Sequence, residues 1–258
     1  MKQDGHMNLN KKVAIVTGAS RGIGKVMAIG LAKAGARVVV VARTDIEKPN
    51  LPGTIQETVL EIRMAGGEAE AVKCDVTNEA QVMKMVTGVI NHFGSVHILI
   101  NNAGIAYPAA IWDLPLRKWE LVLKVNLTGA FLCAKAVLPE MIGRRSGSII
   151  NISSVQAQQK ASVKAGTIYG VSKAALERFT HGMAAELKPF NIAVNCLKPR
   201  GAVRTEGMSY LYPDVDRAGW DSPDTMVKAA MFLAEQDGAG VTGIIATDEE
   251  VCSRYGLA

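Results

Sequence analysis

The four cysteines, Cys74, Cys133, Cys196 and Cys252, stand far apart, and no Cys-x-x-Cys pair occurs. That spacing gives neither a disulfide framework nor a zinc cluster. It leaves four small packing residues, kept reduced in a reducing compartment. Uninterrupted apolar runs are far too short to cross a bilayer. Residues Met1 to Asn8 are polar and hold no apolar signal core. A cytoplasmic chain with no membrane partner is expected. Charge of one sign is nowhere concentrated: the longest basic run is a pair such as Arg144-Arg145, and the net charge of +5 is scattered. No nucleic-acid partner is expected either. No internal repeat or low-complexity segment is present.

The 258 residues are 48% hydrophobic and 21% charged, a balance that suits one globular domain. A chain of this length can bury roughly three quarters of its unfolded surface, so its core needs no metal. Short β-branched runs alternate with longer helical stretches. Residues 13–16, 38–41, 68–73, 97–100, 148–152, 192–197 and 241–246 read as strands. Residues 22–34, 54–65, 79–93, 116–142, 167–187 and 225–235 read as helices, the fourth interrupted near Pro139. Thr54 and Glu57 are spaced as a capping box. This alternation implies an α/β fold, a doubly wound parallel sheet of about seven strands with helices on both faces. Residues 1–10 read as a flexible N-terminal segment and 11–258 as a single domain. The long irregular stretch 199–223 reads as a lid.

Thr17-Gly18-Ala19-Ser20-Arg21-Gly22-Ile23-Gly24 lies between the first strand and its helix. Glycines allow a tight turn and close approach of a pyrophosphate, whose charge the free amides of the helix N-terminus receive. Gly18, Ser20, Arg21, Gly22, Ile23 and Gly24 are the expected contacts. The end of the second strand selects the nucleotide. An acid there would bind a ribose 2′-hydroxyl and repel a 2′-phosphate. The chain instead carries Arg43, whose fork can meet a phosphate, with Arg21 approaching from the glycine loop. Asp45, about 20 residues beyond Gly24, is the counterweight, although it falls inside the following loop. NADP is favoured over NAD, and both stay open.

Tyr169 and Lys173 stand four residues apart and share a helix face. An ammonium beside a phenol favours the phenolate and makes a poised acid/base. With Thr17 to Gly24, Cys74-Asp75-Val76, Asn101-Asn102-Ala103-Gly104, Asn126 and Ser154, this pair resembles the short-chain dehydrogenase/reductase family, from about Lys11 to Gly243. The resemblance implies a Rossmann-type fold, a nicotinamide cofactor and interconversion of alcohols and carbonyls. It implies a homodimer or homotetramer built on the long helices after strands four and five. On the same ground, Asp75 and Val76 flank the adenine, and Asn102, Ala103 and Gly104 line the cofactor. Ser154 hydrogen-bonds the substrate oxygen, Tyr169 moves the proton and Lys173 binds the ribose hydroxyls. Asn126 holds a water that connects Lys173 to solvent, and it also reads as a helix kink or backbone partner. Ser153 competes for the serine role, because strand alternation points the two hydroxyls in opposite directions.

Departures from the family pattern carry information too. The usual Pro-Gly is Pro199-Arg200-Gly201 here, so Thr205 would touch the nicotinamide amide across one extra residue. The usual Asp-Gly-Gly near the C-terminus is absent. With Leu51-Pro52-Gly53-Thr54, this points to the hydroxysteroid-dehydrogenase-like branch. The expected activity is NADP-dependent interconversion of a small or medium, partly apolar alcohol and its carbonyl compound. One rival is a nucleotide-binding regulator without turnover; another is an NAD-preferring dehydrogenase. A third is a hydrolase using Ser154. It would need a histidine base, and His6, His92, His97 and His181 have no evident place near the strand edge. Residues 106–112, 156–166 and 208–220 should shape the pocket, with Tyr107, Met208, Tyr210 and Trp220 as an apolar wall.

Overall fold

Seven segments rich in β-branched residues pair into one parallel sheet: β1 (Val13–Thr17), β2 (Arg37–Ala42), β3 (Glu68–Lys73), β4 (Ile98–Asn101), β5 (Gly147–Ile152), β6 (Ile192–Lys198) and β7 (Ile245–Thr247). This is a computed structural model describing residues 9–46, 51–158, 166–211, 214, 216 and 218–257. The strand order is β3-β2-β1-β4-β5-β6-β7, and every pairing is parallel. Every residue of β1, β4, β5 and β6 is buried, as strands covered on both faces require.

Nine helices appear among the described residues: α1 (Gly22–Lys33), α2 (Ile55–Met64), α3 (Glu79–Phe93), α4 (Leu116–Leu123), α5 (Gly129–Arg144), α6 (Thr167–Leu187), α7 (Glu206–Leu211), α8 (Asp224–Ala234) and α9 (Asp248–Tyr255). Alternate residues of β1 feed two cores. Ala14 and Val16 pack with Met27, Leu31, Ile62 and Leu233, under α1, α2, α8 and α9. Val13 and Ile15 pack with Val86, Val137, Met141 and Leu187, under α3, α5 and α6. The strand order reverses between β1 and β4. Loops leaving the C-terminal ends diverge there and open a crevice.

Four expectations need correction. First, the long helix is not interrupted at Pro139. That proline lies inside α5 on an exposed face, where water can serve the carbonyl it leaves unpaired. The break is a π turn at Lys124–Thr128, which carries Asn126. Second, Leu116–Arg144 runs 29 residues and contains an 18-residue window of mean hydropathy 1.7, long and apolar enough for a membrane span by length and composition. Uninterrupted runs alone miss it. Half of its most apolar window is buried, and Leu132, Val137 and Met141 pack against the sheet.

Third, β7 is only three residues long, because Gly243 takes φ +80 and breaks the extended run. Side chains replace the ladder there: Thr242 Oγ1 accepts from Val194 N, and Asn195 Oδ1 accepts from Ile244 N. A helix not expected from the sequence, α9, follows at once. Fourth, the fold reaches back to Leu9, which is 1% exposed and donates its N–H to the Ala34 carbonyl. Residues 1–8 of the expected flexible segment lie outside the described residues, as do 159–165 of the expected pocket wall and 212, 213, 215 and 217 of the lid. The cysteines follow expectation. All four are unpaired, and burial pushes Cys74 up to about 11 and Cys133 and Cys196 up to about 12.

Candidate active site

At the end of β1 the backbone turns through Gly18, at φ +66. A Cβ there would stand 2.8 Å from the Ala103 Cα, so only glycine lets the loop lie against the end of β4. Gly24, in the first turn of α1, is equally tight, because a Cβ would collide with the Asn102 amide. The contact is fastened by side chains. Thr17 Oγ1 accepts from the N–H groups of Asn102 and Ala103, each at 3.1 Å. Asn102 Nδ2 donates to the carbonyls of Thr17 and Gly18 at 2.9 and 3.1 Å. Ser20 is buried behind the loop and Ile23 is half-buried on α1. Gly22 N donates to a carboxylate oxygen of Glu206 at 2.9 Å.

The end of β5 meets α6 on the other side of the crevice. Lys173 is 4% exposed, and its Nζ donates to the Ile152 carbonyl at 2.7 Å. Burial lowers Lys173 to about 8. The ammonium lies 5.6 Å from the centre of the Tyr169 ring, as the shared helix face requires. A Cβ on Gly104 would stand 3.5 Å from both Lys173 Nζ and Asn126 Oδ1, so three separate motifs converge here. Asn126 uses both amide protons and one oxygen lone pair on its neighbours. It accepts from Ile105 N at 2.8 Å and donates to the Ile105 carbonyl and to Ser172 Oγ, both at 2.9 Å. The two serines part as strand alternation predicts. Ser153 is buried and donates to Glu177 Oε1 at 2.9 Å, while half-buried Ser154 caps the short turn Val155–Ala157. Gly170, beside Tyr169, faces the carbonyl of Gln156 in that turn.

The residues expected around the adenosine sit near one another but are differently engaged. Arg43, with its side chain 59% exposed, lies 3.8 Å from Asp75. Burial alone would raise the Asp75 carboxyl. Hydrogen bonds from Thr77 outweigh it, Arg43 and Lys124 add to them, and the carboxyl stays below the usual range. Asp45 is tied to Lys73 at 2.9 Å, at the end of β3. Arg21 is held by the loop that precedes α2. Its guanidinium donates to the carbonyls of Pro52 and Gly53, both at 2.7 Å, and to Leu51 at 3.4 Å. Val76 is buried against Gly129. Thr205 packs on Gly22 from the lid side and caps α7 by accepting from Met208 N. The arrangement fits a dinucleotide: an uncapped helix N-terminus whose amide already holds an anionic oxygen, and a buried ammonium facing the Gly104 backbone.

Residues 12–216 match the family described as short chain dehydrogenase. The chain belongs to the short-chain dehydrogenase/reductase family. Its members are NAD(P)-dependent oxidoreductases. Hydroxysteroid dehydrogenase-like protein 2 of Danio rerio is 34% identical over 242 residues, covering 94% of this chain and 58% of the relative. The chain therefore spans just over half the length of that relative, in the branch that the Leu51–Thr54 motif suggested. The 3-oxoacyl-acyl-carrier-protein reductase of Synechocystis sp. is 35% identical, covering 91% of this chain and 94% of the relative. A solved structure of gluconate 5-dehydrogenase from Burkholderia cenocepacia, in complex with NADP and tartrate, superposes with TM-score 0.80 at 32% identity. It covers 94% of this chain and 95% of that one.

This short-chain dehydrogenase also holds site residues that sequence reasoning passed over. Glu177 and Lys198 form a buried ion pair at 3.1 Å. Glu177 also accepts from Ser153 Oγ and from Gln158 Nε2, and so ties the ends of β5 and β6 to α6 beneath Ser154. The signal was available: Glu177 is four residues beyond Lys173 on the same face, and Lys198 ends an apolar strand. Among the described residues, no histidine hydrogen-bonds Ser154. His97 Nδ1 accepts from Val13 N at the opposite edge of the sheet, and burial lowers its pKa to about 4. His181 is exposed on α6, and His6 lies outside the described residues.

Proposed function

We propose that this chain is an NADP-dependent reductase or dehydrogenase that interconverts a small or medium, partly apolar alcohol and its carbonyl compound. The observation that carries the reading is Lys173, an ammonium buried beside the Tyr169 ring and facing Gly104 and Asn126. A cation is buried at such a cost only where its charge is used. When bound, the dinucleotide supplies or accepts the hydride. In the reducing direction Tyr169 gives its phenolic proton to the developing alkoxide, and Ser154 donates a second hydrogen bond to the same oxygen. Lys173 favours the phenolate left behind and holds the ribose hydroxyls. Ser154 is preferred to Ser153, whose hydroxyl is spent on Glu177. Asn126 sets the position of the Gly104–Ile105 backbone, and a water on its remaining lone pair would link Lys173 to solvent.

Arg43 at the end of β2 supports the 2′-phosphate, as does the tie between Asp45 and Lys73. Gly18, Ser20, Gly22, Ile23 and Gly24 would take the pyrophosphate, with Arg21 bracing the loop. Asp75 and Val76 would flank the adenine, Asn102, Ala103 and Gly104 the ribose, and Thr205 the carboxamide. Four unpaired cysteines accord with the cytoplasm.

The test is absorbance at the reduced-nicotinamide band against a panel of carbonyls, preceded by titration with NADPH and NADH. Tyr169→Phe should lower kcat more than tenfold, ~1.4 kcal/mol in barrier terms, and leave the Kd for NADPH nearly unchanged. A variant that keeps more than a tenth of the activity would remove Tyr169 from the proton-transfer role. Tight NADPH binding with no turnover across the panel would favour the nucleotide-binding regulator.

A further inference from the structure

Helix α1 begins without a cap of its own. Arg21 at the N-cap makes no side-chain capping bond, and no acid occupies the first turn. Helices α2, α3 and α9 carry side-chain caps of their own, while α4, α6 and α8 share the lack of one. Thr54 with Glu57 and Thr247 with Glu250 form complete capping boxes, and Asn78 caps α3. An exposed positive helix end with unused amides is an anion site. Here the anion comes from 184 residues away along the chain: Glu206 Oε2 accepts from Gly22 N at 2.9 Å. Its charge acts on Arg21 as well. Burial lowers that guanidinium, and Glu206 and Glu57 act against the shift.

The lid that presents Glu206 is anchored at its base. Arg200 grips Asp221 through Nη2 at 2.7 Å and Nε at 3.2 Å, and it reaches Glu249 at 3.0 Å. Arg204 N and Asp221 N complete the neck by donating to the carbonyls of Asp221 and Ala202. From that neck, Thr205 and Glu206 reach α1 and line a cavity of about 670 Å³ together with Lys25, Pro52 and Tyr210.

We propose that Glu206 is an internal latch. Its carboxylate occupies the amide that the cofactor's pyrophosphate must take, so the dinucleotide binds only by displacing it. This rests on the reading of the chain as a nicotinamide-dependent enzyme. One N–H serves one acceptor well, and two anions at one donor repel. The latch therefore stabilises the cofactor-free chain and subtracts its strength from the affinity for the dinucleotide.

The experiment compares wild type, Glu206→Gln and Glu206→Ala in three measurements. Without dinucleotide, hydrogen exchange at the Gly22 amide should be faster in Glu206→Ala than in the wild type. The Kd for NADPH should fall roughly three- to tenfold in Glu206→Ala, the strength of a helix-end charge contact, and less in Glu206→Gln, which keeps an acceptor. Thermal stability of Glu206→Ala should be lower without NADPH and should match the wild type when NADPH is saturating. Unchanged exchange at Gly22, or a Kd that stays constant or rises, overturns the latch while the cofactor reading stands. Failure of the wild type to bind either dinucleotide overturns that reading and the latch with it.

Discussion

Arg21 and Arg43 look equivalent in the sequence, two cations at the expected nucleotide end, yet they are engaged differently. Arg21 is consumed by the loop carbonyls of residues 51–53, whereas exposed Arg43 is paired among the described residues only with half-buried Asp75. A partly exposed pair as long as 3.8 Å is worth only ~0–1 kcal/mol, so Arg43 can leave it at little cost for a phosphate. A charge-assisted contact to phosphate is worth ~1.5–3 kcal/mol. Arg43→Ala should therefore raise the Kd for NADPH roughly tenfold or more and change that for NADH little. The difference should shrink as salt rises. Asp45→Asn is the matching control. Titration of both cofactors into both variants checks this, and a wild type that prefers NADH would promote Asp45 to the ribose contact. The sequence could not separate the two arginines, because the loop that claims Arg21 returns from 30 residues further on, with Gly53 at φ +99 against the Ser20 carbonyl.

The elements show the same division between what is local and what is not. Strands β3 and β6 and helices α3 and α6 were legible because their pattern lies within the segment. Helix α9 was legible too, although unread: Thr247 and Glu250 make its capping box, acids fill its first turn and Gly256 ends it at φ +65. The π turn was legible only as a kink read at Asn126, and its contacts were not. That side chain reaches two other elements, Ile105 after β4 and Ser172 on α6. A wide turn of this kind presents the amide inward at a functional site. Asn126→Ala would strand the N–H and C=O of Ile105. Both groups are part-buried, so each loss lies toward the lower end of ~1–3 kcal/mol, and the urea midpoint should fall. Affinity for NADPH should fall with it, because Gly104 loses its support. If stability drops but the Kd holds, Asn126 serves the helix alone.

At the scale of the molecule, the alternation of strands and helices announces the sheet and the edge where the site must lie. The links that close the site over that edge, such as Glu206 on Gly22, join points too distant in sequence for any local pattern to reveal. The outer surface of the α4, α5 and α6 layer carries a different message. Leu121 is 38% exposed, Phe131 44% and Val171 41%, on three helices of one layer. Phe131 meets Phe179 edge-on at 6.4 Å, which makes an aromatic ridge between α5 and α6. Single exposed apolar side chains are ordinary, whereas a set shared among adjacent helices is costly to leave in water. A second copy of the chain, presenting the same ridge about a two-fold axis, would bury it. Wild-type protein should then sediment as a dimer or tetramer. Phe131→Asp should shift the mass toward the monomer without unfolding it, because the site is half exposed and Lys135, one turn away, offsets the new charge. Sedimentation equilibrium decides the matter. A monomeric wild type, or an assembly indifferent to Phe131→Asp, would place the interface elsewhere or remove it.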